Sequence, residues 1–355
     1  MKKWTVFFLV SALLVLMLSG CGKAASTVQD VPDDKLSIVT TIFPPYDFAR
    51  AITGDKAALT MLLPPGAESH SFEPTPQDII KIQNCDIFIY VGGESDAWVE
   101  EVLESMDTGA MKIITLMDCI EVVAEEIIEG MEEEAHEHGD EDEHEHEEID
   151  EHEHEEIDEH EEEHADEDAH SAEDTHEETP EYDEHVWTSP RNAKLIVQKI
   201  ADTLSEIDAA NASAYQQNTL AFLSELNKLD AAFLDVVGQA QRKTLVFGDR
   251  FPFRYFADAY GLEYFAAFPG CSVETEASAG TVAFLIDKIK AENIPVVFHI
   301  ELGNEKMANA ISEATGAKVL QLHAVHNITK ADFERGVGYV DLMKQNVENL
   351  KEALF

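Results

Sequence analysis

Positive charge is scarce in this chain. Its 355 residues hold 24 Lys+Arg against 72 Asp+Glu, a formal net charge of −48 at pH 7. A polyanion repels a surface of that sign, so nucleic acid is excluded as a general partner. Docking on anionic lipid through basic side chains is disfavoured for the same reason. Cysteine is scarce too: Cys21, Cys85, Cys119 and Cys271 are the full set, and none forms a CxxC pair. That removes the common thiolate zinc signatures. Cys85, just before an apolar run, reads as a small buried hydrophobe, and at most one disulfide is possible among the last three cysteines. Long apolar runs are missing beyond the first twenty residues, which excludes a polytopic membrane protein.

The N-terminus carries its own signal. Lys2 and Lys3 precede an apolar stretch from Trp4 to Leu18 that is too short for a stable span. Leu18-Ser19-Gly20-Cys21 resembles the lipobox of bacterial lipoproteins. The resemblance implies a signal peptide over 1–20, acylation of Cys21, a polar tether over 21–35, and an extracytoplasmic protein held to the cell membrane by lipid.

From residue 36 to 130 strand-like runs alternate with helical ones, the mark of a mostly parallel α/β lobe. Residues 131–184 then break the pattern. They contain 31 acidic residues and no Lys or Arg, and the octapeptide EHEHEEID occurs at 143–150 and again at 151–158. Few large apolar side chains and strong self-repulsion predict a disordered insert. Residues 185–210 complete the first lobe. The next stretch, 211–242, holds one long helix whose apolar stripe is Tyr215, Phe222, Leu226, Leu229, Phe233 and Val236. Alternation resumes over 243–355. The expected fold is α/β, two mostly parallel-sheet lobes joined by one long backbone helix, with a ligand cleft between them.

Ten of the 15 histidines lie in the insert: His136, His138, His144, His146, His152, His154, His160, His164, His170 and His176. Alternating imidazole and carboxylate there offers many weak, exchangeable metal sites; a solvated acidic linker is the plainer reading. Five histidines lie outside it, and four are in loops or at strand ends: His70, His185, His323 and His326. The fifth, His299, is two residues from Glu301, so a regular strand would turn both to one face. Loops at strand ends can converge on one cleft, and neutral imidazoles suit zinc. Spacing alone does not join His70 to His323.

A resemblance does. PPGAESHSFEPTPQD around His70, DEHVWTSPRNAKLIVQKIADTL around His185, DRFPFRYFADAYGLEYFA and the closing GYVDLMKQNVENLKEAL resemble the metal-binding lipoproteins of bacterial zinc/manganese ABC importers, zinc-uptake type. The acidic His-rich insert before the second motif resembles that type as well. The likeness covers nearly the whole chain from about residue 36. It implies two α/β lobes on a rigid helix, a monomer, an ABC permease as partner, no enzymatic activity, and a metal held by His70, His185, His323 and His326. The chain departs from the family at the third ligand, where Arg250 stands near the aligned position, and a guanidinium cannot ligate. Asp249, His299 and Glu301 are the substitutes within reach. A His-rich set favours Zn2+ over Mn2+. Two other functions stand behind this one: a membrane-anchored zinc buffer or adhesin without a transport role, and more remotely a zinc hydrolase with Glu301 as its catalytic carboxylate.

Overall fold

The structure is a computed structural model and describes residues 35–69, 72–131, 181–272 and 277–355. The signal peptide, Cys21, His70 and the ten histidines of the insert lie outside the described residues.

The first sheet is parallel, with β1 (Leu36–Thr40), β2 (Ala57–Met61), β3 (Ile87–Tyr90) and β4 (Lys112–Thr115) in the order β2-β1-β3-β4. LSIVT and IFIY are short β-branched and aromatic runs, which suits strands covered on both faces. α1 (Phe43–Thr53) holds Pro44 and Pro45 in its first turn, where a missing N–H costs nothing. α2 (Pro76–Gln83) starts at a capping box: the Thr75 hydroxyl accepts the Asp78 N–H, and the Asp78 carboxylate accepts the Thr75 N–H. α3 (Ala97–Glu104) and α4 (Pro190–Ile207) complete the lobe.

The second sheet repeats the plan. β5 (Thr244–Phe251), β6 (Glu263–Pro269), β7 (Val296–His299) and β8 (Lys318–Gln321) are parallel in the order β6-β5-β7-β8. Between the lobes runs α5 (Ala212–Gln239), 28 residues long. The stripe falls as the periodicity predicts: Tyr215, Leu226, Leu229, Phe233 and Val236 are buried and Phe222 is partly so. α5 packs on α1 and α4 on one side and on α6 (Arg254–Tyr260) and the closing α10 (Tyr339–Leu354) on the other. The remaining helices are α7 (Ala279–Glu292), α8 (Lys306–Thr315) and a short α9 (Lys330–Glu334) that the pattern does not reveal. Its five residues are too few for a periodic signal, and it is set by Thr329, whose hydroxyl accepts the Asp332 N–H.

One apolar cluster runs through both lobes. Phe48 of the first lobe packs edge-on against Tyr339 of the closing helix at 5.1 Å, and Phe233 of α5 packs edge-on against Phe256 at 4.8 Å. Parting the lobes would expose this shared surface, so large hinge motion is costly.

The end of the acidic segment differs from expectation. Tyr182 bridges antiparallel to Ala124, the Glu125 N–H donates to Glu181 O at 2.9 Å, and the Asp183 N–H donates to Val123 O at 3.0 Å. Residues 181–184 therefore belong to the folded lobe. Backbone pairing, which composition cannot report, holds them. Cys85, Cys119 and Cys271 are free thiols.

The Phe233→Ala variant should lose about 3–5 kcal/mol of stability in urea denaturation. Leu220→Ala, at an exposed position of the same helix, should stay within about 0.5 kcal/mol of wild type.

Candidate metal centre

Each sheet reverses its strand order once, between β1 and β3 and between β5 and β7. The crevice outside the carboxyl ends at such a reversal is where open α/β sheets bind ligands. One cavity lies beyond β1 and β3, lined by Thr41, Val91, Asp96, His185 and Trp187. A second lies beyond β5 and β7, lined by Glu68, Arg250, Ile300 and Glu301. Ser69 and His326 line both.

His185 is fully buried, at the entry to the turn that leads into α4. Asp183 fixes it twice: one carboxylate oxygen accepts the His185 N–H at 2.8 Å and lies 3.0 Å from Nδ1. A carboxylate only accepts, so Nδ1 carries the proton and Nε2 the lone pair. Burial pushes the His185 pKa down, but the nearby Asp183, Glu184 and Glu125 carboxylates outweigh it, and the net shift is upward.

His326 sits in the loop after β8. Glu301 organises that loop: its two oxygens accept the Ala324 N–H at 2.6 Å and the His326 N–H at 2.8 Å. They also lie 3.4 Å from Nδ1 of His323 and of His326. Burial would raise the Glu301 carboxyl, but His323 when charged and the His326 hydrogen bond bring it down to about 2. It is ionised at any physiological pH. The His326 pKa moves down, by burial first and then by the charges of His185 and Arg250. Val325 holds φ at +66° and Leu302 at +60°, rare for side chains of that shape. The Glu301 bonds, together with the Phe43 N–H on His326 O at 3.2 Å, oppose that strain.

The two imidazoles meet edge-on, with ring centroids 4.7 Å apart and planes at 78°. Two histidines on one tetrahedral zinc, bound at 2.0–2.1 Å, have ring centroids about 5 Å apart. Trp187 packs against both rings and donates its Nε1–H to Ala324 O at 2.7 Å. Asn327 ties the loop to the first lobe by donating to Pro64 O and Ala67 O, both at 2.8 Å.

The other sequence candidates stand elsewhere. His70 lies outside the described residues, but its neighbours on either side, Ser69 and Phe72, line the His185 cavity. His323 lines neither cavity. Its Nδ1 accepts the Val325 N–H at 3.0 Å, which leaves the proton of the neutral ring on Nε2, and Asn346 clamps its backbone. His299 ends β7 and Glu301 lies in the turn after it, so the same-face expectation fails. Nδ1 of His299 lies 2.9 Å from Ile300 O. Asp249 accepts the Arg250 and Ile300 N–H groups and lines a different cavity beside Gly303. Arg250 is buried and donates to Ser272 O at 3.0 Å and Glu68 at 3.3 Å. The orienting roles of Asp183 and Glu301 were not read from the sequence. An acidic residue two before His185 was the one visible hint. Among the described residues no three His, Cys, Asp or Glu side chains converge as a metal site.

The sequence matches the family described as "Zinc-uptake complex component A periplasmic" over residues 38–353. The chain belongs to that family. Within it, the high-affinity zinc uptake system protein ZnuA of Bacillus subtilis is 32% identical over 362 residues, 99% of this chain and 98% of that protein. The zinc-binding lipoprotein AdcA of Streptococcus pneumoniae is 29% identical over 99% of this chain, which spans only 61% of that relative's length. Among solved structures, the metal-dependent lipoprotein YcdH of Bacillus subtilis superposes with a TM-score of 0.67 at 27% identity, covering 90% of this chain and 99% of that one. The Zn(II)-bound ZnuA-like domain of Streptococcus pneumoniae AdcA gives 0.65 at 27%, with 90% and 99% covered. The family is named for an uptake component rather than an enzyme, and the two-lobed fold agrees with the solved structures.

Asp183→Asn should weaken zinc binding about 10- to 100-fold in a chelator competition, because the ring then loses its orienting anion. A pH effect follows from Asp96, which lines the His185 cavity and whose carboxyl is raised to about 7, chiefly by burial. A carboxyl raised in the folded state holds its proton there after the unfolded chain has lost it. Stability of the metal-free protein therefore falls as pH rises from about 4 to 7. In thermal melts across that window, Asp96→Asn should flatten this dependence.

Proposed function

We propose that this chain is an extracytoplasmic solute-binding lipoprotein, anchored through Cys21. In this reading it captures one divalent metal ion, Zn2+ in preference to Mn2+, and hands it to an ABC permease for import. The observation that carries the proposal is the His185–His326 pair, two buried imidazoles 4.7 Å apart with Nδ1 of each beside a carboxylate. Imidazole nitrogens suit zinc better than manganese, which prefers oxygen. His70, between Ser69 and Phe72, is the proposed third imidazole, delivered from the first lobe. His323 then acts behind Glu301, shaping the loop rather than binding the ion.

Zinc displaces protons to bind, so affinity falls as pH falls, and the cleft contributes by keeping the imidazoles aimed. Burial excludes water from the ion's surroundings, and the shared core keeps the two lobes close. The zinc-uptake name of the Bacillus subtilis relative and the zinc-binding name of the Streptococcus pneumoniae one support the ion assignment. A hydrolase fits poorly: Glu301 is held by two backbone N–H groups and its pKa is near 2, too low for a general base at neutral pH. The ten histidines of the insert give the protein a weaker, second capacity for metal, in keeping with a buffer role beside transport.

Titration of the full chain against a competing chelator should find one tight zinc site per molecule. His185→Ala and His326→Ala should each abolish it while leaving the weak sites of the insert. A tight site that survives both substitutions would refute the cleft assignment.

A further inference from the structure

His185 belongs to the first lobe, yet the second lobe packs directly on its ring. Gly270 is the first residue after β6 and has no positive φ, so no left-handed turn calls for a glycine there. Its neighbours do. A methyl in place of its hydrogen would lie 3.0 Å from Cε1 and from Nδ1 of His185, and 3.0 Å from Phe251 O. Carbon contacts settle at about 3.5–4.0 Å. We propose that Gly270 and Tyr255 are positioning residues of the second lobe, which hold His185 in its metal-binding orientation and make the grip on the ion depend on contact between the lobes. This rests on the His185–His326 site proposed above.

Gly270 lies against the Cε1–Nδ1 edge of the ring, so the imidazole cannot pivot out of its Asp183 contact towards the second lobe without meeting this backbone. The turn that carries Gly270 is fixed twice. Its Cys271 N–H donates to Oε1 of Glu125 in the first lobe at 3.0 Å, and its Ser272 O accepts from the buried Arg250 guanidinium at 3.0 Å. Arg250 cannot ligate, but it anchors the backbone behind a residue that can.

Tyr255 acts on the other support of His185. Its hydroxyl donates to Asp183 O at 2.7 Å and accepts the Val123 N–H at 3.3 Å. Val123 O in turn accepts the Asp183 N–H, so one phenol of the second lobe spans both arms of a first-lobe ribbon. Asp183 is the residue whose carboxylate orients His185. Tyr255 is buried, and burial raises its pKa, so the phenol remains a donor at physiological pH. A small parting of the lobes here withdraws Gly270 from the ring and breaks the hold on the Asp183 carbonyl together. His185 is then loosened without a large hinge motion.

The test uses the full chain, with His185→Ala as the reference for the weak sites of the insert. Zinc affinity and release are read with a competing chelator, and Co2+ absorption reports the donor geometry. Gly270→Ala should lower zinc affinity at least about tenfold, as lost support of a ligating imidazole does, with faster release and shifted Co2+ bands. Tyr255→Phe, which removes one oxygen, should lower affinity about two- to tenfold and shift the bands as well. Two controls should keep wild-type bands and release: Gly238→Ala, where a methyl meets no neighbouring element within 4 Å, and Leu204→Ala, which costs stability at the far end of α4. Gly270→Ala and Tyr255→Phe proteins that melt lower but keep wild-type Co2+ bands and zinc release would overturn the proposal and leave a plain contact between lobes. If Gly270→Ala does not fold, Tyr255→Phe decides on the same two readings. Zinc held as tightly by His185→Ala as by the wild type would instead refute the parent reading, so the two failures are separable.

Discussion

The Glu301 carboxylate is the contact on which the site depends. It is buried and ionised, and it replaces lost water with two backbone N–H groups of the His326 loop and the Nδ1 edge of His326. A buried charge without such partners would be severely destabilising. With them it enforces an irregular loop in which Val325 takes a left-handed conformation. His326 then points at His185 because its own backbone is pinned. Asp183 performs the same service for His185 from the other lobe, using a backbone bond and a ring contact together. Both rings are ordered before any ion arrives, which lowers the entropy cost of capture.

Preorganisation extends to the lobes. Each provides a strand-order reversal, and the two crevices face one another across Ser69 and His326. α5 and the aromatic contacts beside it make one core of what the topology divides in two. Contacts across the cleft are specific: Asn327 grips the Pro64–Ala67 turn, and the Tyr339 hydroxyl donates to Trp187 O at 2.8 Å. A protein built this way has little freedom to swing open. Ion exchange must then depend on small movements of loops and side chains near the cleft.

Much of this was legible in the sequence. The alternation of strand and helix gave both sheets, and the stripe from Tyr215 to Val236 gave α5, because each pattern reports burial directly. The motif around His185 pointed to a cleft position, and His185 lines the cavity beyond β1 and β3. What was not legible depends on three-dimensional closure. That His326 lines both cavities while His323 lines neither turns on a left-handed Val325 and on which ring nitrogen accepts a backbone N–H. The pairing of Glu301 with Ala324 and His326 spans more than twenty residues and leaves no local spacing. The tail of the acidic segment looked like the rest of it, yet Glu181–Asp183 are held by a backbone ribbon. Arg250 announced a departure from the family, but only the structure supplied Glu68 as its partner.

Anomalous diffraction at the zinc absorption edge, on crystals of the zinc-loaded protein, tests the central claim most directly. The account predicts one strong peak in the cleft, within bonding distance of Nε2 of both His185 and His326, with each Nδ1 still against its carboxylate. A cleft without a peak, or zinc on Nδ1 of either ring with Asp183 or Glu301 displaced, would contradict it.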